Sequence, residues 1–417
     1  MVSRAVVRRA LTFVMVLAAA GTETAYSQTY EVIYNFTGVP DGSGPESGLT
    51  MDAAGNLFGT TTGGGDGLCN GSGCGTVFKL AYRNSKWSES QLYSFAGGSD
   101  GAFPHAGVII GPGKSLYGAT IQGGALGCDC NCGTVFMLSP PSLTSPSWTE
   151  TQLHQFTAGT DGYFPGTGDL VFDPETQSLY GTTSGGGIHN QGTVYKVQYS
   201  NGSWTESVIY SFNGADGGNP YAGVIVDKAG ALYGTTAQEN PSGYGTVFQL
   251  SPSGSSWIET TLYSFQNGSD GSFPVGGVIS DRYGNLYGTT SAGGSGSGGG
   301  GTVFELTSNL DGSWTFHLLY SFPGNYGGGP QNSLVMDAAG SIYGTTQSDG
   351  EYFQGSVFKL TRRGRFLWSY TSLHDFSGGT DGYFPYGNLV LDESGNLYGT
   401  AVGGGNGCCG VVFKSRP

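Results

Sequence analysis

The chain has 417 residues, of which 78 are glycine, 13% are aromatic and only 11% are charged, with a formal net charge of −14. The glycines lack a period of three, which excludes collagen, and short alternating runs of Val, Ile, Leu, Tyr and Phe exclude a disordered chain. So acidic a surface repels phosphate backbones, which argues against nucleic-acid binding.

Residues 1–27 read as a secretory signal peptide. Arg4, Arg8 and Arg9 precede an apolar run from Ala10 to Ala20, and Ala25-Tyr26-Ser27 supplies a small-residue cleavage pattern. The alternative is an uncleaved anchor, although a spanning helix needs roughly 20 apolar residues. The Arg8-Arg9 pair leaves twin-arginine export open beside the general route. Loss of three Arg and one Glu with this leader would take the charge from −14 to −16. No later run is apolar enough to span a membrane, and the closing GVVFKSRP carries no anchor. These features predict a secreted protein, extracellular or periplasmic, with no membrane span in its mature part.

The mature part, residues 28–417, opens with one strand-like segment, TYEVIYNF, and then repeats itself. Leu-Tyr-Gly-Thr-Thr or a near copy begins at Leu57, Leu116, Leu179, Leu232, Leu286, Ile342 and Leu397. A glycine-rich stretch follows each copy, and then Gly-Thr-Val-Phe or a variant. Residues 203–250 show a whole unit, with four strand-like runs: WTESVIYSF, AGVIVD, ALYGTT and GTVFQL. The DKAG between the second and third fits a tight hairpin, with Gly230 free to take a positive φ.

Seven such units predict an all-β, seven-bladed β-propeller of four-stranded antiparallel blades. A β-solenoid is the alternative. Residues 29–36 copy the outer run alone, and the last unit stops before its own outer run. The N-terminal strand is therefore expected to complete the last blade and close the ring. All six tryptophans open the outer strand, and Phe36, Phe95, Phe156, Phe212, Phe265, Phe322 and Phe376 end it. A residue used once per blade reads as packing.

The pattern Asn-Leu-Tyr-Gly-Thr-Thr, glycine-rich stretch, Gly-Thr-Val-Phe-Lys-Leu is clearest at Asn285 to Thr290 and at Gly75 to Leu80. In it the chain resembles the bacterial GloVer repeat proteins of Gloeobacter and Verrucomicrobia, over essentially the whole mature part. The resemblance implies export. It implies no established activity and no catalytic residues. Some members carry a C-terminal sorting anchor, whose pattern this sequence lacks.

Functional variation is expected on the face that carries the outer-to-inner and second-to-third-strand loops. Asp41, Asp100, Asp161, Asp216, Asp270 and Asp381 each precede a glycine there. An Asp before Gly shapes a turn, and a ring of such carboxylates is the alternative, a calcium site. No other cofactor and no transition-metal site is expected. Tyr163 and Tyr383 stand where other units have Ala102 or Ser272, which predicts exposed rings suited to stacking on sugars. Asp100, Asp161, Tyr163, Asp381 and Tyr383 are the candidate binding residues. His154 and His374 replace strand tyrosines, while His105 and His189 lie on the loop face without a repeated partner.

All seven cysteines fall in the loop before the third strand. Export makes disulfides the expectation, with Cys69, Cys74, Cys128, Cys132, Cys408 and Cys409 as candidates and Cys130 left over. The leading functional expectation is a monomeric, non-catalytic secreted module that binds an extracellular glycan, polymer or protein. An enzyme on a propeller scaffold, acting on a polysaccharide or a lactone, and a purely structural surface-layer protein are the alternatives. A central pocket lined by carboxylates and a His from different blades would favour the enzyme.

Overall fold

The computed structural model describes residues 28–417 apart from residues 68, 70, 125–131, 239–242, 296–298, 325–327 and 365–366. Twenty-eight strands form seven four-stranded antiparallel sheets, with no α-helix among the described residues. In blade one the inner strand is Thr50–Met51, the second Leu57–Thr61, the third Thr76–Arg83 and the outer Lys86–Ser94. The first strand of the chain, Thr29–Asn35, pairs with the last, Val411–Arg416, and completes blade seven. Ring closure is therefore non-covalent, as the truncated last unit predicts.

The repeat motif has a packing reason at each position. A Cβ on Gly59 would meet the Phe78 ring at 2.7 Å, so the Tyr-Gly step is where the second strand must run bare beneath an aromatic. The Thr that follows faces the next blade: Thr60 Oγ1 donates to Ala106 O at 2.9 Å, and Thr400 Oγ1 to Ser47 O at 2.8 Å across the closure. The second Thr bonds within its own blade, as in Thr61 with Thr76 at 2.8 Å.

The repeated aromatics hold blade to blade. Each outer-strand Phe is fully buried and meets an aromatic of the next blade at 5.1–5.4 Å, from Phe36 on Phe78 round to Phe376 on Phe413. Such pairs add about 0.5–1.5 kcal/mol each beyond their burial. Trp87, Trp204, Trp257 and Trp314 lean the other way, edge-on to a tyrosine of the preceding blade at 6.0–6.4 Å.

Two local features exceed the sequence reading. The inner strands are only two or three residues long, not six, because the residues before them bond to neighbouring blades instead of their own sheet. The pairing of third and outer strands also shifts by one residue at the same place in every blade, as between Val77 and Phe78. Such a bulge bends the outer strand and strengthens its twist.

Candidate functional site

Each outer-to-inner loop ends on a proline and then runs towards the ring axis. In five blades the residue before that proline is a non-glycine with positive φ: Phe103, Phe164, Asn219, Phe273 and Phe384, at 52–57°. Bulky residues rarely adopt this conformation, which costs on the order of 1–3 kcal/mol. It turns the chain inward, and the residue after the proline reaches the axis. Blade three carries one extra residue, Gly166, so Thr167 takes that place there.

The result is a mouth lined by one residue from each blade, of six different types: Glu46, His105, Thr167, Tyr221, Val275, Gln331 and Tyr386. Its volume is about 400 Å³, and a cavity of about 320 Å³ continues from it along the axis. Polar groups gather on the arc of blades six, seven, one and two. His105 Nδ1 lies 2.7 Å from Glu46 Oε2. An Nδ1–H donated to that carboxylate leaves Nε2 as the ring's acceptor. Gln331 Nε2 donates to Gln347 Oε1 at 2.7 Å, and Gln347 Nε2 in turn donates to Tyr386 Oη. Burial, and then the charge of Glu46, push the Tyr386 phenol above its usual range. The facing arc is Thr167, Tyr221 and Val275, with the Tyr221 side chain exposed.

Two residues further along each inner segment, the axis narrows. Gly48, Gly107, Gly223 and Gly277 occupy this level in four blades, and Asp169, Ser333 and Asn388 in the other three. Asn388 Nδ2 donates to Asp169 Oδ2 at 2.8 Å, and Gly107 N–H donates to Asp169 Oδ1 at 2.7 Å. Asn388 Oδ1 accepts from Ser333 N–H at 2.8 Å, and Ser333 Oγ from Gly277 N–H at 3.0 Å. Blades three and seven are thus joined across the channel. Asp169 is enclosed by protein apart from its face to the channel, and this burial raises its pKa against the two hydrogen bonds that lower it. A Cβ on Gly223 would fall 2.0 Å from Asp169 O, so that blade cannot take a side chain at this level. Below the crossbar the lining turns aliphatic, with Ile109, Val171, Ile225 and Ile279.

None of the five residues that the sequence put forward for binding lines this mouth. Asp100 accepts from Tyr93 Oη and from Ala96 N–H, both at 2.6 Å. Asp161 accepts from the Thr157 amide at 2.8 Å and hydroxyl at 2.7 Å. Asp381 takes the same pair of bonds from Ser377, and His374 Nε2 lies 3.1 Å away. Burial alone would raise Asp381, but the Ser377 bonds and the His374 charge hold it below the usual carboxylate range. These carboxylates are engaged by their own loops. The exposure expected of Tyr163 and Tyr383 is corrected: both rings are half-buried over glycines of their own blade, Gly185 and Gly403, which leave them room. Tyr163 Oη donates to Asn190 at 3.2 Å.

Cys69 and Cys74 form a disulfide. Cys132 is also disulfide-bonded, while Cys128 and Cys130 lie outside the described residues. The expectation for Cys408 and Cys409 is corrected: both are free thiols, adjacent in sequence, with sulfurs 2.8 Å apart. Cys408 is exposed and has φ of 69°, and hydrogen bonding with Cys408 and burial push the Cys409 thiol up to about 11.

Sequence reasoning placed His105 on the loop face, but it did not find Glu46, Gln331, Gln347, Tyr386, Asp169 or Asn388. One signal was present. The residue after the repeat proline differs in almost every unit while its neighbours repeat.

Among the described residues no helix is long and apolar enough to cross a membrane. No curated protein matches the chain. Among solved structures, a protein described as a 6-phosphogluconolactonase from Bacteroides uniformis superposes with a TM-score of 0.51 at 13% identity, over 80% of this chain and 84% of its own. One described as an oxidoreductase (glucose dehydrogenase) from Thermus thermophilus gives 0.43 at 13%, over 93% and 99%. The first likeness is one of fold alone. The repeat architecture agrees with a family match that runs through both halves of the chain. Matching over residues 21–228 and again over 223–417, the chain belongs to the Gloeobacter/Verrucomicrobia repeat family.

Proposed function

We propose that the protein is an exported binding module that holds a glycan or extracellular polymer at the channel mouth on its loop face. The observation that carries this reading is the ring of seven residues of six different types on a scaffold that otherwise repeats. A binding site needs different groups in defined places, and here the sevenfold pattern gives way to them. Most ligand sites are concave, with a few convergent polar groups on an apolar lining, and the mouth has that form. The leader-like residues 1–27 and the Cys69–Cys74 disulfide support export.

A glycan array probed with the mature chain tests the reading. Binding is expected, and it should fall at least tenfold in His105→Ala. An array without hits, or hits indifferent to that substitution, would overturn it.

A hydrolytic reading is favoured by one observation, the His105–Glu46 pair at 2.7 Å from adjacent blades. A carboxylate-oriented imidazole is a competent general base. Incubating each bound glycan and a panel of lactones with the protein separates the two readings. Product formation lost in His105→Ala would establish the enzyme.

A further inference from the structure

We infer that the mouth recognises the terminal unit of a neutral glycan, held end-on, and does not grip the middle of a chain. The inference rests on the binding reading above and specifies its ligand.

Depth comes first. The Asn388–Asp169 hydrogen bond joins blades on opposite sides of the ring at 2.8 Å, with Ser333 and Gly107 tied to its two ends. A ligand entering from the loop face meets this crossbar. Beyond it the walls are Ile109, Val171, Ile225 and Ile279. A chain of hydroxyls threaded there would lose its hydrogen bonds to water and gain none, at about 1–3 kcal/mol per unsatisfied group. The polar part of the channel is therefore blind.

Size agrees. Pockets for drug-sized ligands run from about 300 to 1,000 Å³. The mouth above the crossbar, at about 400 Å³, stands towards the low end, which suits one or two sugar rings.

Charge sets the class. No Lys or Arg lines the mouth or the cavity, and the His105 ring is already paired with Glu46. An anionic sugar would face Glu46 and Asp169 with no cation of its own. A neutral one meets a mixed set of donors and acceptors instead: the Tyr386 hydroxyl and the Gln331 amide, both bonded to Gln347, and the Glu46 carboxylate. The exposed Tyr221 ring on the facing arc offers the apolar surface on which a sugar face stacks.

The test uses the mature chain and isothermal titration. An array of neutral and anionic glycans supplies the bound sequence, and its mono-, di- and tetrasaccharides are then titrated. The disaccharide is expected to bind within threefold of the tetrasaccharide, because only the terminal units are enclosed. Tyr386→Phe and Gln331→Ala should each weaken it at least fivefold. Asn388→Gly gives blade seven the residue of blades one, two, four and five, so the fold is expected to survive, with circular dichroism as its check. That variant should also lose at least fivefold for the disaccharide. Affinity that climbs tenfold or more from disaccharide to tetrasaccharide would overturn end-on recognition while leaving glycan binding standing. Indifference to the three substitutions would overturn it as well. An array that yields only anionic glycans removes the neutral class, and one that yields nothing removes the underlying reading too.

Discussion

Asn388 and Asp169 are 219 residues apart and meet at 2.8 Å across the ring axis. No other pair of described side chains bonded so directly joins blades three and seven. The contact sets the depth of the channel and ties the segments that carry the mouth. Asp169→Leu leaves the Gly107 amide and the Asn388 carboxamide without their acceptor. A loss of about 1–3 kcal/mol is expected, read as a lower urea midpoint with an unchanged slope.

A second prediction concerns four buried-edge glutamates. Glu89, Glu150, Glu206 and Glu259 follow the outer-strand tryptophans, and each is raised to about 7, first by burial and then by the charge of Asp41, Asp100, Asp161 or Asp216. In blades five to seven the same position holds Phe316, Tyr370 and Tyr30, which stack on Tyr263, Tyr320 and His374 at 3.6–4.6 Å. The folded chain therefore keeps protons that the unfolded chain releases near pH 4.5. Their contribution to stability is full below pH 4.5 and is lost as pH rises towards 7. His154 and His374, both lowered by burial, act in the opposite sense. Converting all four to Gln should remove the glutamate part and raise the thermal midpoint above pH 7, by about 1 kcal/mol per site after solvent screening. Midpoints of the two proteins that run parallel from pH 5 to 8 would contradict this.

The cysteines divide into two classes that alkylation followed by mass mapping will separate. Without reductant, Cys69, Cys74 and Cys132 should stay unlabelled. Cys408 should react first, being exposed, and Cys409 more slowly, since its thiol is pushed up to about 11.

The closing strand yields a fourth prediction. Phe36 is fully buried and its ring meets Phe78 of blade one at 5.1 Å. Phe36→Ala should cost about 3–5 kcal/mol and should open the seam between the last and first blades before the rest. Hydrogen exchange that quickens in Val411–Arg416 ahead of Thr246–Ser253 is the expected readout.

The blades were legible because their packing residues recur: Phe and the Tyr-Gly-Thr-Thr step or its near copies each do one job seven times and Trp six, so a period of 53–63 residues exposes them. The mouth was not, because its residues share a place but no chemistry. Glu46 and His105 are 59 positions apart and become partners only when adjacent blades bring their post-proline residues to the axis. The Gly166 insertion shifts blade three by one, which hides Thr167 and Asp169 from a simple overlay of the copies. The Asp-Gly series was visible for the opposite reason: it recurs, and recurrence here marks turn-building. Tyr163 and Tyr383 looked exposed because Ala and Ser alternate with them, whereas the bare backbone of Gly185 and Gly403 supplies the room for their rings.

The left-handed turn before the repeat proline, present in six blades, has a consequence for how such proteins diverge. The left-handed residue and the ring of Pro fix where the next side chain goes, whatever it is. Glu46, His105, Tyr221, Val275 and Tyr386 all follow such a turn, while the buried Phe contacts behind them recur. The channel mouth thus works as a row of letters on a fixed page. A sister protein is free to spell a different ligand by single substitutions, one blade at a time, with its core untouched.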